Sequence, residues 1–306
     1  MTGILSELTD SARSAAEGVG PSVVRIGRGG GRGCGIVLGD GLVATNAHNL
    51  RDRTTTVTFA DARESQGEVI AADHDGDLAV LRVDTNGAPA VSWGGPAAVG
   101  DVVFAVARSG AGGTRVSFGI VSATERAFRG PRGRRIKGSL EHTAPLPRGS
   151  SGSPVIAVDG TVVGLSTHRI GDGFYLALPA DEDLRARLDA LAAGTARRRP
   201  LLGIGLAPAH VARALRRSVG LSDREGLLVR GVEEGSPAAE AGLAEGDLLV
   251  RAGDRELRAV DDLFDALDGV ADGGSLDVGV VRGDEERTVT VRFPTEAAEG
   301  AEPPAG

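Results

Sequence analysis

The chain has 306 residues, enough for two ordinary domains, with 41% hydrophobic but only 3% aromatic residues. A formal net charge of −8 gives no support to nucleic-acid binding, and the single cysteine, Cys34, excludes an intramolecular disulfide and a multi-cysteine zinc site. No run approaches the ~18 apolar residues of a membrane span and the start lacks a signal-peptide pattern, so a cytoplasmic location is the default expectation, with non-classical export or a missing upstream segment left open.

Residues 4–16 put Ile4, Leu5, Leu8, Ala12 and Ala15 on one helical face, which predicts a helical arm over 1–19 that docks on its own domain or on another subunit. The periodicity then changes. Short runs rich in β-branched residues follow at 22–26, 33–38, 42–47, 54–59, 67–72, 78–83, 101–107 and 114–123, and again at 154–158, 161–167 and 174–178. That many short strands without intervening helices predict a mainly β barrel or sandwich over 20–194. Between them, 126–137 holds Arg126, Arg129, Arg132, Arg134, Arg135 and Lys137 among Gly and Pro, and reads as a mobile surface loop. Leu184, Leu188 and Leu191 predict a helix over 180–194. Residues 195–200 read as a linker, 201–293 as a second domain, and 294–306 as a disordered tail poor in bulky apolar residues.

Chemistry concentrates in three places. Small residues surround Ser151 in the string 148–154, so the backbone there is free to make a tight loop that turns the N–H groups of Gly149 and Ser151 toward a developing oxyanion. A serine hydroxyl needs a base to take its proton. His48 ends a β-like run and is the candidate base; Asp77 opens an apolar strand and is the candidate acid that orients it. The order His, Asp, Ser is that of chymotrypsin-type double barrels. Asp73 reads as loop support. His74, His142, His168 and His210 show no metal-ligand spacing, so no metal and no cofactor are expected. Cys34 reads as a small apolar packer.

Thr45 to His48, Asp77 to Leu81, Gly149 to Pro154 and Phe118 to Ala123 together resemble the signature blocks of the HtrA/Deg-like serine proteases, within the trypsin-like superfamily. Three positions depart from that pattern: Ser150 stands for the usual Asn, Ser153 for the second Gly, and Thr143 for an Asp. Ser153 is harmless only if its φ is negative. The resemblance implies a trypsin-like double β-barrel and a serine endopeptidase acting on unfolded or exposed protein segments, as in protein quality control. It also implies a homotrimer built through the N-terminal part and an activation-sensing loop near 126–137. Pro145, Leu146, Arg148 and His168 fall by position near the pocket for the residue before the scissile bond. No Asp stands there, so a small or medium apolar residue is expected. Leu201, Leu202, Gly203 and Ile204 resemble the carboxylate-binding loop of PDZ domains, with Leu263 or Leu267 facing the peptide from the opposite helix; peptide C-termini are the implied ligands. A proteolytically dormant PDZ scaffold or chaperone is the alternative.

Overall fold

The computed structural model describes residues 3–29, 32–108, 113–130, 135–195, 200–207, 209–218, 220–222 and 224–295. The side chains of Ile4 and His210, residues Arg132 and Arg134, and most of the expected linker and tail lie outside the described residues. Contacts divide the chain into two units, Met1–Ala196 and Arg197–Gly306.

The first unit holds two closed six-stranded antiparallel barrels. One is built from β1 (Val23–Ile26), β2 (Gly33–Gly39), β3 (Leu42–Thr45), β4 (Thr54–Thr58), β5 (Glu64–Asp73) and β6 (Leu78–Arg82), in the order β1-β2-β3-β6-β5-β4. The other uses β7 (Val102–Arg108), β8 (Thr114–Arg129), β9 (Arg135–His142), β10 (Pro154–Ile156), β11 (Val162–Gly171) and β12 (Phe174–Pro179), in the order β10-β11-β12-β9-β8-β7. Closure leaves no unpaired edge.

Each barrel has an interior of alternating side chains. Val24, Ile26, Val37, Val43, Val57 and Leu81 fill the first; Val103, Val121, Leu140, Val155, Val163 and Ala177 fill the second. The opposite faces of several strands are buried too. Ile36, Ala44, Leu78 and Val80 share one cluster with Phe104, Val106, Ile156 and Leu165 of the other barrel. Burial on both faces explains why these strands read as nearly continuous apolar runs rather than alternating ones. Each fully buried Val, Leu or Ile contributes on the order of 1.5–3 kcal/mol, which lets a core with few aromatics suffice.

Helices complete this unit. The first, α1 (Ile4–Ser14), runs into a turn of π-helix at Ala15–Val19. Leu8, Ala12, Ala15 and Val19 join the shared core. Leu5, expected on the same face, is 77% exposed. The second, α2 (Glu182–Ala192), is capped by the Asp181 carboxylate, which accepts from the Leu184 N–H at 2.9 Å. Its three leucines are buried in the same core.

The stretch read as a mobile loop at 126–137 is corrected in part: 126–129 and 135–137 are the arms of the β8–β9 hairpin, paired from Arg126↔Ser139 to Arg129↔Arg135. Phe128 and Ile136 are turned in while Arg129, Arg135 and Lys137 face water.

The second unit is a sheet in the order β13-β14-β15-β17-β18, comprising Ile204–Ala207, Leu227–Val232, Leu248–Ala252, Ser275–Arg282 and Glu285–Arg292. A two-residue strand, β16 (Arg255–Glu256), pairs with β15. Among the described residues three helices accompany it: α3 (Ala209–Ser218), α4 (Pro237–Glu240) and α5 (Val260–Asp268). The sequence reading did not foresee α3. Arg216 in its last turn is buried, and its Nε donates to Ser222 O at 3.2 Å.

Candidate active site

His48 lies in a short 3₁₀ turn, Ala47–Asn49, directly after β3. Asp77 immediately precedes β6, the strand that pairs with β3. Neighbouring strand ends therefore deliver both residues to one rim of the first barrel. The His48 Nδ1 lies 2.9 and 2.8 Å from the two Asp77 carboxylate oxygens, and the His48 N–H donates to Asp77 Oδ1 at 3.1 Å. The carboxylate is 1% exposed. A buried carboxylate receiving Nδ1–H fixes the tautomer that leaves Nε2 as the base.

The backbone at Asp77 has φ +54°, in the left-handed region that few non-glycine residues adopt and that Asp tolerates better than most. Several contacts hold it. Asn46 Nδ2 donates to Asp77 O at 2.9 Å. The preceding turn is tied by Asp73, whose Oδ1 accepts from the N–H groups of Asp75 and Gly76 at 3.1 and 2.8 Å. From α2, Arg187 donates to Asp73 Oδ2 at 3.1 Å and to Gly76 O at 3.2 Å.

Ser151 sits in the loop between β9 and β10 of the second barrel. Its hydroxyl donates to Thr167 O at 3.2 Å, the only hydrogen bond of that hydroxyl among the described residues. Thr167 also donates its own hydroxyl to Asp77 Oδ2 at 2.6 Å. One residue of β11 therefore touches both the nucleophile candidate and the acid. Sequence reasoning passed over Thr167 in favour of its neighbour His168.

Gly149 has φ +81°, and among the described residues neither its N–H nor that of Ser151 is engaged by a protein acceptor. Gly152, at φ +87°, tolerates no side chain: a Cβ there would lie 2.1 Å from Cys34 O. Ser153 keeps a φ outside the left-handed region, so the added Cβ brings no backbone strain. Thr143 Oγ1 accepts from the Ile120 N–H at 3.0 Å, tying the approach to the loop onto β8. Cys34 is buried behind this loop, with Sγ 3.7 Å from Gly149 O. Burial pushes its thiol up to about 11, so it stays protonated at neutral pH.

The four residues placed near the pocket before the scissile bond separate in character. Leu146 is buried, whereas Pro145, Arg148 and His168 are exposed. The Pro145 carbonyl accepts from Ser117 Oγ at 2.5 Å, and His168 stacks on Phe128 with ring centroids 5.5 Å apart. Leu146 alone among them packs into the apolar core.

In the second unit, β13 is an edge strand preceded by 201–203. Leu201 is 57% exposed and Leu202 is buried. Gly203, at φ +73°, leaves no room for a Cβ, which would lie 2.3 Å from Ser236 Cβ. The expectation that Leu263 or Leu267 faces a peptide is corrected: both are buried in the unit's core, at 2% and 4% exposure. Helical phase explains it, since the half-buried apolar positions of α5 are Val260, Phe264 and Ala266.

Comparison with known proteins matches residues 33–165 to the trypsin-like peptidase domain and 200–293 to the PDZ domain. A probable periplasmic serine endoprotease, DegP-like, from Halomonas elongata is 30% identical over 264 residues, covering 84% of this chain and 54% of that protein. The mitochondrial serine protease HTRA2 of Drosophila virilis is 30% identical over 282 residues, covering 85% of this chain and 66% of that one. The chain thus spans between about half and two thirds of the length of these relatives. Among solved structures, the HtrA-type protease AlgW with decapeptide superposes with a TM-score of 0.68 at 21% identity, covering 96% of this chain and 99% of that one. The serine endoprotease from Yersinia pestis gives 0.67 at 24% identity, covering 92% and 97%.

These relatives also correct the cytoplasmic expectation. One is described as periplasmic and another as mitochondrial, so the default drawn from the first residues does not stand. No helix among the described residues is long and apolar enough to cross a membrane. A trypsin-like peptidase domain followed by a PDZ domain, in that order and with those relatives, makes this chain a member of the HtrA/Deg-like serine protease family.

Proposed function

We propose that the chain is a serine endopeptidase that cuts unfolded or exposed protein segments, with Ser151 as nucleophile, His48 as general base and Asp77 as the acid that orients it. The observation that carries this reading is the contact of His48 Nδ1 with the buried Asp77 carboxylate at 2.8 Å, with Thr167 bonded to both that carboxylate and the Ser151 hydroxyl. Catalysis requires the Ser151 hydroxyl to rotate from Thr167 O toward His48 Nε2. His48 then takes the hydroxyl proton as Oγ attacks the scissile carbonyl, and the oxyanion receives the N–H groups of Gly149 and Ser151. The proton passes from His48 to the leaving amine, and water, activated by the same imidazole, releases the acyl group. Residues 20–194 form the peptidase domain in this reading and 201–293 the PDZ domain, joined by a linker at 195–200. The edge of β13 and the turn at Gly203 suit capture of a peptide C-terminus as an added strand. Unfolded proteins and peptide C-termini are the proposed partners, and a homotrimer through the N-terminal part is the proposed assembly.

A dormant scaffold is the second reading, favoured by one observation: the Ser151 hydroxyl is engaged by Thr167 rather than by His48. One experiment separates the two. A fluorophosphonate should label the wild-type chain at Ser151, and the wild type should degrade unfolded casein, while Ser151→Ala does neither. Equal casein loss in both proteins, with no labelling, sinks the peptidase reading and leaves the scaffold.

A further inference from the structure

The carbonyl of Ser151 is gripped from the first barrel by two donors. The Cys34 N–H reaches it at 2.7 Å and Asn49 Nδ2 at 2.9 Å. Asn49 ends the turn that carries His48 and is 2% exposed. Its Nδ2 also donates to Thr45 Oγ1 at 2.9 Å, and Thr45 Oγ1 donates to Cys34 O at 2.7 Å. The four groups close a ring around the peptide that follows the nucleophile.

Two glycines make room for this ring. A Cβ on Gly33 would lie 2.2 Å from Asn49 Nδ2, and one on Gly152 would lie 2.1 Å from Cys34 O and 3.0 Å from Thr45 Oγ1. Asn49 thus occupies a space that only glycine at position 33 leaves open.

We propose that Asn49 is a positioning residue for the nucleophile: through the Ser151 carbonyl it sets the orientation of the Ser151 hydroxyl and N–H relative to His48. The proposal rests on the peptidase reading. The carbonyl and the N–H of residue 151 flank one Cα, so fixing the first restricts where the second and Oγ point. Because Asn49 follows His48 in the same short turn, base and nucleophile are tied to one piece of backbone across the two barrels. Misplacement of a reacting group by about 1 Å costs up to about a hundredfold in rate.

The test uses the full chain carrying Asn49→Leu, which keeps the side chain's approximate shape and removes both N–H groups. Expected are a kcat about tenfold to a hundredfold lower, a KM within about twofold of wild type, and fluorophosphonate labelling slowed by the same factor as kcat. The pH midpoint of kcat should not move, because the His48–Asp77 contact is untouched. Gly33→Ala, which displaces the amide without changing residue 49, should reproduce the kcat loss. Unchanged labelling and kcat in Asn49→Leu overturn the proposal. So does a loss that merely follows the fraction of unfolded protein and disappears well below the melting temperature. A wild-type chain that the phosphonate does not label removes the peptidase reading, and this proposal with it, an outcome distinct from the other two.

Discussion

His142 is fully buried on β9, stacked on Tyr175 with centroids 5.7 Å apart, and neither ring nitrogen has a hydrogen-bond partner among the described residues. Burial lowers its pKa from 6.5 to about 4. Between those values the unfolded chain binds a proton at this residue and the folded chain does not. Stability therefore rises with pH across the window: it is full above about 6.5 and falls as pH drops toward 4, by on the order of 3 kcal/mol at full extent. His142→Phe should flatten that part of the acid limb, seen as a smaller difference between urea midpoints at pH 7.5 and pH 5 than in wild type. An unchanged difference would mean that the imidazole is not held neutral by the fold. At this scale the sequence was readable where a residue's role is written in its immediate neighbours. His48 ends a strand and Asp77 opens one, so their meeting followed from strand pairing. Asn49 and Thr167 act on groups of the opposite barrel, at separations of 102 and 90 residues, and nothing local distinguishes them from any buried polar residue.

Among the elements, the strands were legible because they are short, β-branched and bounded by Gly or Asp; the arms of the β8–β9 hairpin were not. There, charge masked a period-two pattern in which Phe128 and Ile136 point inward and arginines point out. Helix α3 escaped notice because Arg216 occupies a buried position that an apolar count discards. In α5 the helix was foreseen but its phase was not. Leu263 and Leu267 serve the core, and Phe264 is left half-buried beside it. Peptide capture should therefore depend on Phe264. Phe264→Ala is expected to weaken binding of a fluorescent peptide ending in an apolar residue by about five- to thirtyfold, about 1–2 kcal/mol, measured by anisotropy. Amidating the peptide's C-terminus should abolish capture if the turn at Gly203 receives a carboxylate. Equal affinity for the free and amidated peptides would remove that turn from the binding mode.

Over the whole chain, two separate cores divide the work. The peptidase unit draws on the barrel interiors and the cluster shared between them, the second unit on Leu202, Val229, Leu249, Leu263 and Val278 with their neighbours. Two domains were expected from length and composition, and the change from barrel strands through α2 to a second run of strands marked where one core ends. A cavity in one core should then drain one activity before the other. Leu263→Ala, at a site 2% exposed, should destabilise the second unit by about 2–5 kcal/mol, so peptide capture is lost at lower urea while phosphonate labelling of Ser151 persists. Leu81→Ala, fully buried in the first barrel, should do the reverse, because strand β6 begins directly after Asp77 and holds it in place. Both losses can be followed in one urea series with a labelled peptide and a fluorophosphonate. If each variant moves both readouts by the same amount, the chain unfolds as one cooperative body, and stability lent to the PDZ unit by a bound peptide would also stabilise the site at Ser151.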